Sequence, residues 1–158
     1  MDIFLSSPDF SHGRHIPKKF AKCGFNWSPH LEWSAPPEGT RNLVLICECP
    51  DSPGGECVHW IVYGLLPQTS HLPRALQTSE KLPSGAMQGK NDLGGTGYDG
   101  PDPPPFRQQR YLFKLFALST VPPLSPGADK VTVRGEIRNT VIGSGELMGY
   151  FMHCPKNP

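Results

Sequence analysis

Apolar residues along the chain fall into a few dense runs separated by long polar stretches punctuated by proline and glycine, a pattern that predicts a strand-rich domain. Asn42–Cys49 is a run of β-favouring and apolar residues. It is closed by the turn-forming Pro50-Asp51-Ser52-Pro53-Gly54-Gly55, after which Cys57–Leu65 resumes the pattern. Two strands joined by a stiff loop are expected. Arg110–Leu118 puts Tyr111, Phe113, Leu115 and Ala117 on one face and Leu112, Phe116 and Leu118 on the other, as a central strand buried on both sides would. Lys114 is the exception. Ala128–Val141 carries Val133, Ile137 and Val141 at helical spacing behind the potential cap Asp129, so one helix is expected there. Glu146–Met152 reads as a final short strand.

Elsewhere the pattern breaks down. In residues 1–41, Pro17, Pro29, Pro36 and Pro37 each remove a backbone donor, leaving loops and short extended pieces that Trp27 and Trp33 are expected to anchor to the core. Between Pro67 and Pro105 almost nothing is periodic. A stretch of that length inside a compact domain is usually functional or disordered, and an ordered loop lining a pocket is expected.

Composition narrows the class. A chain of 158 residues fits one domain spanning 1–158, and its 19 prolines and 17 glycines alongside 37% hydrophobic residues describe a folded, loop-rich protein. The net charge of +1 is spread without a basic footprint, which argues against nucleic acid as a partner. No basic leader, long apolar core or small-residue cleavage site marks the N-terminal residues, and no apolar run approaches the roughly 20 residues of a membrane-spanning helix. A cytoplasmic protein is the expectation. Five cysteines (Cys23, Cys47, Cys49, Cys57 and Cys154) form an odd set without a secretory signal, so they read as thiols, ligands or redox pairs and not as a disulfide framework.

Three blocks carry a family likeness. The first runs from Ile16-Pro17 through Asn26-Trp27-Ser28-Pro29 and Leu31-Glu32-Trp33 to Pro37-Glu38-Gly39-Thr40. The second is Pro50-Asp51-Ser52-Pro53-Gly54-Gly55 leading into Val58-His59-Trp60. The third extends from Gly89-Lys90-Asn91-Asp92 through Gly97-Tyr98-Asp99-Gly100-Pro101 to Arg110-Tyr111 and Phe113–Leu118. In order and spacing these blocks resemble the bacterial branch of the phosphatidylethanolamine-binding, or Raf-kinase-inhibitor-like, family over nearly the whole chain.

The resemblance implies a mostly β, sandwich-like fold of antiparallel sheets with Greek-key connections and a few peripheral helices. It also implies a non-enzymatic protein that needs no cofactor and has a shallow pocket for phosphate or a phosphorylated head group. A protein kinase is the partner the family name suggests, and bacterial relatives suggest a homodimer. Around the pocket the resemblance places Cys49, Asp51, Pro53, His59, Gly100, Pro101, Gln109, Arg110 and Tyr111. Chemically, His59 and Tyr111 can donate hydrogen bonds to an anion, and Gly100 lets a ligand approach the backbone. Two positions depart from the family signatures: Cys49 stands where an aspartate leads the first, and Gln109 where a histidine precedes Arg110 in the second. A neutral thiol cannot hold an ammonium group by charge, so the replacements bear directly on head-group recognition.

The cysteines supply the rival readings. Cys23, like Cys49, stands where relatives commonly carry an acid, and this paired replacement suggests a Cys23–Cys49 disulfide. Cys47, Cys49, Cys57 and His59 alternate on neighbouring strands and could face one another, although structural zinc sites usually space paired ligands by a turn of two to four residues. A redox-responsive or metal-binding protein built on Cys23, Cys47, Cys49 and Cys57 is thus the alternative, and a hydrolase with Cys49 activated by His59 is a third reading. Gly95–Gly100 matches the spacing of a dinucleotide fingerprint but lacks the flanking strand and helix, so that reading is rejected.

Overall fold

The structure, a computed structural model, describes residues 2–152, and Cys154 lies outside them. Among the described residues nine strands and one α-helix follow in chain order, with a short 3-10 helix at Lys18–Phe20 between the second and third strands: β1 (Leu5–Ser6), β2 (Arg14–His15), β3 (Leu31–Trp33), β4 (Asn42–Cys49), β5 (Cys57–Leu65), β6 (His71–Leu72), β7 (Met87–Gln88), β8 (Gln108–Leu118), α1 (Lys130–Ile137) and β9 (Val141–Met152). Six strands form the main sheet in the order β2-β9-β8-β4-β5-β7, and β1-β3-β6 form a small antiparallel sheet. The fold is mostly β, as expected, with a parallel pairing at the β2–β9 edge.

The strands predicted over Asn42–Cys49 and Cys57–Leu65 are found with those limits. Strand β8 starts two residues earlier than its apolar run. Tyr111, Phe113, Leu115 and Ala117 are fully buried, but burial of both faces is not found: Leu112 and Phe116 on the other face are only half-buried, since that side borders a cleft. The C-terminal expectation needs correction. Helix α1 ends at Ile137, and Val141 opens a twelve-residue strand instead of closing the helix. The Thr140 N–H turns back to the Ile137 carbonyl, and the whole length of β8 offers β9 a pairing edge from Leu118↔Val141 to Gln108↔Met152. A local period of 3.6 is overridden by long-range pairing.

Two apolar clusters hold the main sheet. On one face Leu43, Leu45, Cys47, Trp60, Val62, Tyr111 and Phe113 pack against Ile3, Ile16, Phe20, Leu31 and Leu72 from the small sheet and the N-terminal segment. On the other, Val44, Ile46, Ile61 and Tyr63 are covered by Val133 and Ile137 of α1. Asp129 caps the helix by accepting the Thr132 N–H at 2.8 Å. Trp33 anchors the N-terminal region as expected, its indole N–H donating to the Thr69 carbonyl at 2.9 Å. Trp27 does not. It is 39% exposed and stacks on exposed Phe25 instead.

The aperiodic stretch from Pro67 to Pro105 is ordered by buried side-chain amides. Gln88 accepts from the Trp60 indole (2.8 Å) and donates to the carbonyls of Gln77 (2.7 Å) and Ser79 (2.9 Å). Asn91 accepts from the N–H groups of Leu93 (2.9 Å) and Gly95 (3.0 Å) and donates to the Gly97 carbonyl (3.1 Å). Side chains here satisfy the backbone groups that a sheet ladder would otherwise satisfy.

Candidate functional site

The site forms where the end of β4, the start of β5 and the start of β8 meet the Tyr98–Asp102 segment. Across β4 and β5, Cys47 pairs with Trp60 while Glu48 pairs with Val58, so His59 is an extra, unpaired residue. Such a bulge re-aims a side chain. The His59 ring meets the Tyr111 ring edge to face, centroids 5.2 Å apart at 83°. Its Nδ1 lies 2.7 Å from the Asp99 carbonyl oxygen. A carbonyl only accepts, so Nδ1 carries the hydrogen and Nε2 is the lone-pair nitrogen of the neutral ring. Burial lowers the His59 pKa, and hydrogen bonds to the backbone of Asp99 and Gly100 only partly oppose it.

The two departures from the family signatures touch each other. The Cys49 thiol donates to Gln109 Oε1 at 3.6 Å, the same oxygen accepts the Tyr111 hydroxyl at 3.3 Å, and Gln109 Nε2 donates to the Asp51 carbonyl at 3.1 Å. Neutral groups therefore satisfy one another at these two positions. Arg110 closes on Asp51 through its backbone N–H (2.8 Å), Nε (3.0 Å) and Nη2 (2.8 Å), and these contacts hold the Asp51 carboxyl below its ordinary pKa. The Arg110 charge is thus already engaged. Pro53 is exposed on the turn that follows β4, while Pro101 is buried and accepts the Lys22 N–H through its carbonyl at 2.9 Å.

Asp99 and its partners were not singled out from the sequence. The Asp99 carboxylate accepts from Lys22 Nζ (2.9 Å), Asn26 Nδ2 (3.0 Å) and Asn91 Nδ2 (2.9 Å). Burial alone would raise its pKa, but these hydrogen bonds outweigh burial and lower it. Asn26, in a left-handed conformation at φ 58°, also accepts the Gly100 N–H at 2.7 Å. A side chain at Gly100 would collide with the Phe20 carbonyl oxygen. The room read as ligand space at Gly100 is therefore filled by the protein itself. Asn26, Asn91 and Asp99 all lie inside the motif blocks, which is the signal that could have found them.

The cysteine readings fare differently. Cys23 is exposed and Cys49 buried, and both are free thiols, so the Cys23–Cys49 bond is not formed. Among the described residues no group of three His, Cys, Asp or Glu side chains could hold a metal ion, so Cys47, Cys49, Cys57 and His59 do not converge as ligands. The hydrogen-bond partner of Cys49 is Gln109, not His59, and burial raises its pKa, the reverse of an activated nucleophile.

A cleft of about 650 Å³ lies on the opposite face of the sheet, lined by Ile46, Phe116, Val131 and Ile137 with Glu48, Glu56, Lys114 and Arg134. Its charges are largely spent on one another: Glu48 pairs with Lys114 and Arg134, and Arg134 also reaches Glu56 at 2.6 Å. Size alone does not make it the site, because the family motifs converge on the other face.

Comparison with known proteins bears on the family and the fold. The family described as phosphatidylethanolamine-binding protein matches residues 6–152. A UPF0098 protein of Aquifex aeolicus is 39% identical over 155 residues, covering 96% of this chain and 88% of that relative. One from Methanothermobacter thermautotrophicus is 37% identical over 147 residues, 93% of this chain and 97% of the relative. Among solved structures, the Chlamydia trachomatis homolog CT736 superposes with a TM-score of 0.87 at 37% identity, over 96% of this chain and 98% of that one. Escherichia coli YbcL gives a TM-score of 0.88 at 27% identity, over 97% and 99%. The chain belongs to the phosphatidylethanolamine-binding protein family.

Proposed function

We propose that this protein is a non-enzymatic binding module whose site between the β4–β5 turn and the start of β8 takes a small phosphate-bearing anion, such as a phospholipid head group. The supporting observation is the bulged His59. Its Nδ1 is tied to the Asp99 carbonyl and its ring is wedged against Tyr111, which fixes Nε2 as the nitrogen available to a ligand. Nearby cations are already paired, Arg110 with Asp51 and Lys22 with Asp99, so the charge that attracts an anion is the proton His59 would gain. Binding then strengthens as pH falls, since the bound anion favours the protonated ring that burial disfavours.

The test is a titration of the reduced protein with inorganic phosphate and O-phosphorylethanolamine at pH 6 and pH 8, followed by amide NMR. Saturable shifts at His59, Gly100 and Tyr111 that are tighter at pH 6 are expected. Shifts scattered over the surface, or none at either pH, would remove the reading. A preference for O-phosphorylethanolamine would show that Cys49 and Gln109 still permit head-group recognition, and equal affinity would show phosphate alone is read.

We assign the protein partner, a kinase on family grounds, to the rim of this site. Phe25 and Phe106 are 69% and 71% exposed, and Phe25 stacks on Trp27 either side of Asn26, whose side chain holds Gly100. Aromatic residues are enriched at protein interfaces. Binding of a recombinant Raf-type kinase domain should weaken in Phe25→Ser and Phe106→Ser variants, and the same rim is the surface to examine for self-association. Cytoplasmic residence is part of the proposal. Among the described residues no helix is long and apolar enough to cross a membrane, while a Mycobacterium tuberculosis relative is named as a lipoprotein, so cell fractionation decides it.

A further inference from the structure

We propose that Cys49 and Cys57 form a reversible disulfide across the open end of the β4–β5 hairpin, closing the turn that carries Asp51 and Pro53. The two residues face each other directly in the antiparallel register, Cys49↔Cys57. Directly opposed residues on antiparallel strands project to the same face with Cα atoms roughly 4.5–5.5 Å apart, inside the roughly 4.4–6.8 Å window a disulfide accepts. The bulge at His59 sits just beyond this pair, so it does not disturb the register between them. No other thiol among the described residues has such a partner. Cys47 lies opposite Trp60, and Cys23 is an exposed thiol in the turn after Phe20, outside every strand.

The two thiols also differ in the way a peroxide-driven reaction needs. Cys57 is half-buried and can meet an oxidant, whereas Cys49 is buried and protected from it. In the first step Cys57, which burial holds as the thiol more strongly than usual, gives up its proton and the resulting thiolate attacks the outer oxygen of a hydroperoxide, so the step should quicken as pH rises. The O–O bond breaks, an alcohol or water leaves with a proton, and Cys57 becomes a sulfenic acid. In the second, Cys49 sulfur attacks the Cys57 sulfur, the S–S bond forms, and the hydroxyl departs as water with the Cys49 proton. Both sulfurs are oxidised and one peroxide is reduced, and a dithiol reductant reverses the change.

Oxidation would remove the Cys49 S–H that now donates to Gln109 Oε1, leaving that oxygen to Tyr111. The bond therefore acts on the residues around the turn, but it does not require that an anion binds there.

Treatment of the pre-reduced full-length protein with hydrogen peroxide, followed by intact mass measurement and peptide mapping under non-reducing conditions, tests the proposal. The expected product has lost the mass of two hydrogen atoms, carries a Cys49–Cys57 cross-link, and returns to the starting mass with dithiothreitol. The loss should disappear in Cys57→Ser and in Cys49→Ser and persist in a Cys23→Ser/Cys154→Ser double variant. Mapping of the wild-type product keeps the test decisive if a serine variant folds poorly. A cross-link at any other pair, an undiminished two-hydrogen loss in folded Cys57→Ser, or addition of oxygen without a cross-link would overturn it.

Discussion

One face of the β4–β8 pair is closed by a large apolar cluster, beside which Tyr111, Cys49 and Gln109 are buried and hydrogen-bonded through Gln109, and buried His59 packs its ring against Tyr111. The other face is covered by the eight-residue α1 and by Leu124 and Ala128 of the loop before it, and leaves a cleft of about 650 Å³. On the open side polar groups are charged, with Glu48 held between Lys114 and Arg134. On the closed side they are mostly neutral and share a few acceptor atoms. The contrast follows from solvation: near water, charges keep part of their hydration, whereas in a closed core an ion costs several kcal/mol and neutral hydrogen-bonded groups are favoured. The candidate site sits on the face where small changes of side-chain chemistry matter most.

Core truncation should separate the two faces most clearly. Trp60→Ala removes the largest side chain of the closed face together with its bond to Gln88, and a loss of about 3–5 kcal/mol is expected in urea denaturation. Ile137→Ala, beside the open cleft, should cost only about 2 kcal/mol, the low end for such a change, because water already reaches its surroundings. Equal losses would mean that the faces are equally packed. Glu48→Gln tests the ionic side. Removing one member of a buried pair can cost about 3–5 kcal/mol, but Lys114 and Arg134 are 32% and 37% exposed, so solvent screening should reduce the loss to about 1–2 kcal/mol and make it salt-dependent.

A smaller effect is expected at the cap that starts α1. Asp129→Ala should cost about 1 kcal/mol and loosen amide protection in the helix while leaving the His59–Tyr111 face unchanged. The smallest concerns pH. His59 has a folded pKa below its unfolded value, so the unfolded chain binds the proton more readily, and stability should decline as pH falls below about 6.5. The paired carboxylates Asp51 and Asp99, whose pKa values are lowered, act in the same direction but only at more acidic pH, near and below about 4. A His59→Gln variant should lose the near-neutral part of the slope and keep the acidic part, as denaturation midpoints measured between pH 8 and pH 3 would show.

The motif blocks identified the family, and the apolar runs located β4, β5 and most of β8, because each of these strands buries at least one full face in the core whatever the details of its partners. The same reading failed at Val141, where a helical spacing was outcompeted by pairing with β8, and at Trp27, whose size suggested burial but which the chain leaves in solvent. Of the site, the residue list was legible, but its wiring was not. That Cys49 and Gln109 answer one another, that Arg110 is spent on Asp51, and that Asp99 organises Lys22, Asn26 and Asn91 depend on contacts between residues up to 77 positions apart. The sequence by itself determined the three long apolar strands and which residues are capable of the chemistry, but not the short strands β1, β2, β3, β6 and β7 or the start of β9. Only the tertiary structure decided the partners, since hydrogen-bond and strand pairings depend on distance and direction in space. The bulge that turns His59 toward Asp99 and the register that sets Cys49 opposite Cys57 are both products of long-range pairing that no local pattern records.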